Sequence, residues 1–406
     1  MSVITLFSGI FCNEREVVQD IVESTGYRCL SDDMIVQGAA ELSGIAENTI
    51  RRSFSPRTSV FNRFTQEKER SVAFLRLAAA NLLAEDNLVL PGYTSLLIPK
   101  TIDHVIRICL IARTSYRRQL AGDIGNLSEH EAEQKISLED HQRAEWAKQI
   151  YGTDDPWDPR LHDMVIPMDQ TELPKAGALI KSQLLEQAVQ TSESSRRAVN
   201  DFKLACQVET ALACAGHIVR VEAAAGHVTL IMDQQVIMLN RLEKEFQSIA
   251  GELPGVLSVS TRVEENVHTK MSYRRYNVEM PAKVLLVDDE REFVQTLSER
   301  LQMREVGAVV AYDGPSALEL VQNDAPEVMI VDLRLPGMDG MEILSQVKQI
   351  NPDIEVIILT GHGSEQDRET CLGLGAFDYM QKPVDINILS GKLKAAHEKV
   401  RSGQIP

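Results

Sequence analysis

Apolar and polar positions divide the chain into three blocks of different texture, and the last is the most regular. KVLLV (283–287) is an unbroken apolar strand, followed by an amphipathic helix around Phe293–Met303. GAVVAYD (307–313) is a second strand, turned by Gly314-Pro315 into a helix across Ala317–Val321. EVMIVD (327–332) leads into the loop LRLPGMDG and a helix across Met341–Ile350. Strand IEVIILT (354–360), a helix around Glu365–Leu372, strand AFDYMQ (376–381) and a helix from Ile386 complete the series. These strands are apolar on both faces and alternate with helices. That pattern predicts a parallel sheet covered on each side.

The middle block, 201–265, reads as α-β-β-α-β. A helix across Phe202–Ala213 leads to HIVRVEAA and HVTLIM, joined by a turn at Gly226. A helix around Val236–Ile249 and the strand VLSVSTRV (256–263) follow. Residues 264–282 are polar and read as a linker. The first block has apolar strands at 3–8, 87–92, 104–112 and 164–168, with helices across Gln66–Leu83 and Glu129–Ile150 between them. It is again α/β. A helix across Ala178–Val189, with TSESS behind it, links it to the middle block.

Composition narrows the function. Of 406 residues, 42 are basic and 59 acidic, a net charge of −17, which argues against a chain built to neutralise nucleic-acid phosphates. Residues 281–406 hold 12 basic and 21 acidic side chains, half of the excess, and so mark a boundary near 280. The six cysteines include no CxxC pair and read as reduced thiols. No apolar run is long enough for a membrane helix, and the N-terminus lacks a basic n-region. A cytoplasmic protein is expected.

The chemistry sits where strands of the last block stop. Asp288 and Asp289 end its first strand, Asp332 its third, Thr360 its fourth and Lys382 its fifth. In a doubly wound sheet these ends share one rim, where ligands bind. Clustered carboxylates repel and call for a cation; Mg²⁺, which takes oxygen ligands and keeps open positions, is the natural one. Asp332 then suits an in-line nucleophile toward a phosphoryl group, Lys382 a positive charge, and Thr360 a hydrogen-bond donor. Asp313 and Asp339 read as helix caps.

VLLVDDE, VDLRLPGMDG, LTGHG and YMQKP resemble the receiver domain of two-component response regulators, over roughly 281–400. The resemblance implies a flavodoxin-like (βα)5 fold with Asp332 as phosphoacceptor. Asp288, Asp289, Asp332 and the backbone carbonyl of Arg334 would hold Mg²⁺, and Thr360 and Lys382 would sense the phosphoryl group. Tyr379 matches the aromatic that relatives rotate inward on activation.

The first block resembles the cytidylate-kinase-like P-loop family over 1–190, through VITLFSG…REVVQDIVESTGY, NLVLPGYTSLLIP…HVIRICLIA and EDHQRAEWAKQIYG…WDPRLHDMVI. Relatives carry a Gly-Ser-Gly-Gly-like run after the first strand; here Phe11, Cys12, Asn13 and Glu14 stand there, blocking backbone approach and setting a negative charge against phosphate. Pro91, Gly92 and Tyr93 replace a Gly-Arg-Gly run. Arg113, Arg117 and Arg118 remain as candidate phosphate contacts. The middle block, 201–265, resembles a BON-type module through IVRVEAAAGHVTLIM and LPGVLSVSTRV. His217 and His227, flanking its hairpin, read as surface residues.

The expectation is therefore a response regulator phosphorylated on Asp332 by a histidine kinase. Its output would go to protein partners or to a degenerate kinase-like block used for binding or homodimerisation. No helix-turn-helix follows Pro383, so no nucleic-acid partner is expected. The alternatives are an active CMP-type nucleoside monophosphate kinase regulated by a receiver, and a scaffold without chemistry.

Overall fold

The computed structural model describes residues 2–233, 239–264, 272–273, 280–361 and 363–403. They form two compact units, one of Met1–Thr58 and Glu67–Arg274, the other of Ser59–Gln66 and Arg275–Pro406.

The first unit is built on a parallel sheet of β1 (Val3–Ser8), β2 (Arg28–Cys29), β3 (Leu88–Pro91), β4 (Val105–Ile111) and β5 (Met164–Pro167), in the order β2-β3-β1-β4-β5. Every residue of β1 is buried, as expected of a central strand covered on both faces. Its helices are α1 (Glu14–Thr25), α2 (Asp32–Ser43), α3 (Glu47–Arg52), α5 (Glu67–Leu82), α6 (Thr114–Gly125), α7 (Glu129–Tyr151), α8 (Leu173–Leu184) and α9 (Glu193–Cys214). The four-residue α4 (Asn62–Thr65) falls in the second unit.

Helix α9 starts earlier than its apolar pattern suggests. TSESS is not linker: the Ser192 hydroxyl accepts from the Ser195 amide in a capping box that opens the helix there. The N-terminal half of α9 packs Val199, Phe202 and Cys206 into the core around Phe74 and Leu75 of α5, and Arg76 pairs with Glu209 at 3.4 Å. The C-terminal half roofs a small sheet of β7 (Arg220–Ala224), β8 (His227–Asp233) and β9 (Ser258–Glu264), together with α10 (Leu239–Gly251). Two strands, β6 (His217–Ile218) and β10 (Ser272–Tyr273), pair beside it. The expected α-β-β-α-β order is present, but α9 belongs to both cores, so blocks 1–190 and 201–265 form one compact unit.

His217 is not a surface residue. It is fully buried, with its ring 4.9 Å edge-on from Phe246 and Nε2 3.4 Å from Glu245, because apolar packing supplies the environment and one carboxylate the polar partner. His227 is exposed and lies 2.8 Å from the Ser258 hydroxyl. The linker 264–282 lies mostly outside the described residues.

The second unit holds β11 (Val284–Val287), α11 (Arg291–Gln302), β12 (Ala308–Ala311), α12 (Gly314–Asn323), β13 (Val328–Asp332), α13 (Gly340–Ile350), β14 (Glu355–Thr360), α14 (Glu365–Gly373), β15 (Asp378–Gln381) and α15 (Ile386–Gly403). All sheet pairs are parallel, in the order β12-β11-β13-β14-β15, the doubly wound flavodoxin-like arrangement. Two apolar layers sandwich the sheet, one with Leu285, Val331 and Ile343, the other with Leu286, Ile330 and Leu393. Burying each such aliphatic side chain contributes about 1.5–3 kcal/mol. Asp313 and Asp339 cap α12 and α13, accepting from the amides of Ser316 and Met341.

Candidate functional site

Sheet register assembles the rim of the second unit. Val287 pairs with Val331, so Asp288 and Asp332 emerge side by side one step further on. Asp332 lies opposite Leu359, which places Thr360 at the same level. Thr360 is opposite Gln381, and its carbonyl accepts from the Lys382 amide at 2.8 Å, bringing Lys382 in from the far strand. The Lys382–Pro383 peptide is cis.

Three carboxylates meet one ammonium here. Lys382 Nζ lies 2.7 Å from Asp288 Oδ2, 2.8 Å from Glu290 Oε1 and 3.0 Å from Asp332 Oδ2. Its stem runs past Phe293, with Nζ 4.5 Å from the ring centroid. Asp288 also accepts from the Glu290 amide at 2.9 Å, which turns the chain so that Glu290 faces the lysine. Burial pushes the Asp288 carboxyl above its ordinary range, with the Lys382 contact opposing. Burial works against the charge on Lys382, but its carboxylate partners outweigh that and hold its pKa above the ordinary value. Asp288 and Asp332 are 2% and 6% exposed, so water screens them little.

Asp288, Asp289 and Asp332 each offer a carboxylate oxygen, all within 4.8 Å of one another. An all-oxygen donor set with one exposed member and excess negative charge fits a hard divalent cation such as Mg²⁺. The Arg334 amide points to Asp332 Oδ1 at 3.4 Å. Thr360 is fully buried. Tyr379 lies half-buried on β15 against the apolar layer; burial raises its phenol pKa, and the hydroxyl has no hydrogen-bond partner among the described residues.

Gly363 makes room for that hydroxyl: a Cβ there would overlap Tyr379 Oη and press on Thr360 Cγ2. Gly363→Ala is therefore expected to push the Tyr379 ring outward. In protein carrying fluorotyrosine, one of the eight tyrosine resonances should move toward its solvent-exposed position, and the other seven should not.

Two contributors escaped the sequence reading. Glu290 completes the lysine's carboxylate ring, and its signal was the third acid of VLLVDDE. Phe293 beneath the ammonium reads from sequence only as a core position of α11.

The loop after β1 in the first unit has a different character. Phe11 and Asn13 take positive φ (58° and 56°), a conformation that favours glycine. Glu14 opens α1, accepts from the Ser8 hydroxyl, and is raised in pKa by burial. Arg113, Arg117, Arg118 and Arg143 are engaged by the chain itself, while Arg15 and Lys135 line the cavity beside this loop. Arg117 is buried, donates to the Ile10 carbonyl at 2.8 Å, and grips Asp140 through two bonds of 2.7 and 2.8 Å. Arg143 donates to the Ser8 carbonyl at 2.6 Å and to Glu139 at 2.7 Å. Arg113 pairs with Asp169, and Arg118 with Glu129. The amides of Tyr93 and Thr94 both donate to Asp32.

Two parts of the chain match known families. Residues 284–394 match the model of the response regulator receiver domain. The C-terminal unit carries a response regulator receiver domain. Residues 3–170 match the cytidylate kinase-like family. The response regulator MprA of Mycobacterium sp. (strain KMS) is 32% identical over 116 residues, which cover 29% of this chain and 50% of that protein. MprA of Mycobacterium tuberculosis (strain ATCC 25177 / H37Ra) is 30% identical over the same length. This chain thus spans half the length of those curated relatives. Among solved structures, a receiver domain protein from Clostridium thermocellum is 31% identical, covering 30% of this chain and 98% of its own, with a TM-score of 0.29. The BeF3-activated DrrB receiver domain is 29% identical, with 29% and 98% covered and a TM-score of 0.27. The receiver matched in this way contains all the carboxylates, the threonine and the lysine of the rim. No helix among the described residues is long and apolar enough to cross a membrane.

Proposed function

We propose that the receiver accepts a phosphoryl group on Asp332 from a partner histidine kinase, and that the aspartyl phosphate changes the chain's interactions. The observation that carries this reading is the convergence of Asp288, Asp289 and Asp332 within 4.8 Å beside Lys382. An Asp332 carboxylate oxygen attacks phosphorus as the N–P bond of the donor phosphohistidine breaks, and the bonding pair leaves with the imidazole. Lys382, moving from carboxylate to phosphoryl oxygen, holds the transferred negative charge, and the Thr360 hydroxyl donates to it. Asp288, Asp289, Asp332 and the Arg334 carbonyl would hold Mg²⁺, which when bound supplies positive charge for the phosphoryl oxygens. The intact protein incubated with acetyl phosphate and Mg²⁺ should gain the mass of one phosphoryl group. Chelating the metal with EDTA should abolish the gain; an adduct that persists in EDTA overturns the metal's role.

The first unit serves in this reading as a binding or self-association block in the cytoplasm, with the BON-like module of α9, β7, β8, α10 and β9 attached to it. The cytidylate kinase-like match favours a second reading, a receiver-regulated CMP-type kinase. The loop supports the first. A triphosphate would meet the Glu14 carboxyl, and Arg117 and Arg143 are already spent on Asp140 and Glu139. Full-length protein with ATP, Mg²⁺ and CMP or dCMP should release no ADP above the blank. Turnover that survives Asp332→Asn would establish the kinase instead.

A further inference from the structure

Eight residues from the first third of the chain belong structurally to the receiver. Ser59–Gln66 lies between α3 and α5, both in the first unit, yet it packs within the second. The Ser59 hydroxyl and the Val60 amide donate to one oxygen of Asp324, at 2.6 and 2.9 Å. Asp324 closes α12 and is itself buried. Phe61 is fully buried in the apolar layer that contains Val287, Val331 and Leu333, the sequence neighbours of Asp288 and Asp332. Arg63 reaches the carbonyl of Ala308 on the edge strand β12 at 3.4 Å, with its guanidinium 4.5 Å from the Phe64 ring centroid.

Gly307 points the same way. A Cβ at this position would overlap Cβ and Cγ of Phe64. Its φ is not in the left-handed region, so the backbone does not demand glycine there. What the missing side chain provides is a seat for Phe64.

We propose that Ser59–Gln66 is a strap docked in cis on the β12–α12 edge, and that it relays the state of Asp332 to the first unit. This rests on Asp332 being the phosphoacceptor. Phe61 shares a close-packed layer with the residues beside Asp288 and Asp332, and such layers repack between discrete arrangements. The strap is joined covalently to the first unit at both ends. Any repacking that alters its docking therefore changes the tension on α3 and α5. By linkage, whatever displaces the strap also alters the receiver's equilibrium.

Hydrogen exchange on the full-length protein tests this. Strap amides, Val60 above all, should be protected in the wild type. Gly307→Val should raise their exchange tenfold or more while β13 and β14 stay protected, and Phe64→Ala, which leaves the receiver sequence untouched, should do the same. Beryllofluoride with Mg²⁺, a phosphoryl mimic, should change strap exchange threefold or more in the wild type and not in Asp332→Asn. A strap that exchanges freely in the wild type, or ignores both substitutions, overturns the docking. If beryllofluoride alters the β13 and β14 ends but not the strap, only the relay fails. If it alters neither, the phosphoacceptor reading fails and the relay with it. Protection that falls on dilution would show that a second copy supplies the strap, and would overturn docking in cis.

Discussion

Asp332→Asn should take up no phosphoryl group from acetyl phosphate and Mg²⁺ under conditions that phosphorylate the wild type. The amide keeps the shape and one acceptor oxygen but is not a nucleophile at neutral pH. It also removes one of the three carboxylates that contact Lys382. Folding should survive: the charge lost is on the negative side of a cluster with an excess of it, so thermal stability should hold or rise. Intact mass reads the chemistry and a melting curve reads the fold. Full phosphorylation of the variant would move the acceptor to another residue, and a collapse in stability would make Asp332 a structural member of the Lys382 network.

Lys382→Ala should give the second large effect, on stability. It leaves Asp288, Asp332 and Glu290 facing each other with no cation, and two of those carboxylates are almost fully buried. Stranding a buried charge costs about 3–5 kcal/mol, reduced here to about 2–3 because solvent reaches the rim through exposed Glu290. Two dependences separate this from simple loss of packing. Millimolar Mg²⁺ should restore more stability to the variant than it adds to the wild type. The pH dependence follows from Asp288, whose folded pKa is raised by burial even with the lysine present. A carboxyl raised in the folded state favours folding at low pH and loses that contribution as pH rises through its folded value. Removing the lysine raises it further. The deficit should be greatest at neutral pH and shrink as the pH is lowered into the carboxylate range. A deficit equal at all pH values and blind to Mg²⁺ would point to lost contacts along the lysine stem.

The receiver was legible because each of its signals is local. Each of the five strands is an apolar run closed by a polar residue, and parallel register does the rest, converting position along a strand into height at the rim. Asp288, Asp289, Asp332, Thr360 and Lys382 meet for that reason. What the sequence hid depends on contacts between distant segments. Helix α9 reads as two things, a polar linker and an amphipathic helix, because its first half is buried against α5 and not against the module it leads into. His217 looked like a hairpin-edge residue because nothing near it in sequence names Phe246 or Glu245 as its surroundings. The strap was unreadable for the same reason. Phe61 and Phe64 lie in a short polar stretch with no period, and the residues around them, such as Leu285 and Gly307, come from the far end of the chain.

The loop after β1 carries a consequence for what could be built there. Glycines placed at Phe11 and Asn13 would relax the backbone there, yet the guanidiniums of Arg117 and Arg143 would stay bound to Asp140 and Glu139. The amides of Tyr93 and Thr94 would stay capped by Asp32. Each of these partners lies on a different helix from the loop and stabilises the fold on its own account. Building a phosphate cradle into this loop would thus require several substitutions, the early ones costing stability before any activity is gained. If the loop holds no nucleotide, as proposed, these contacts anchor it in that state, and new uses of the loop are reached more readily through binding than through catalysis.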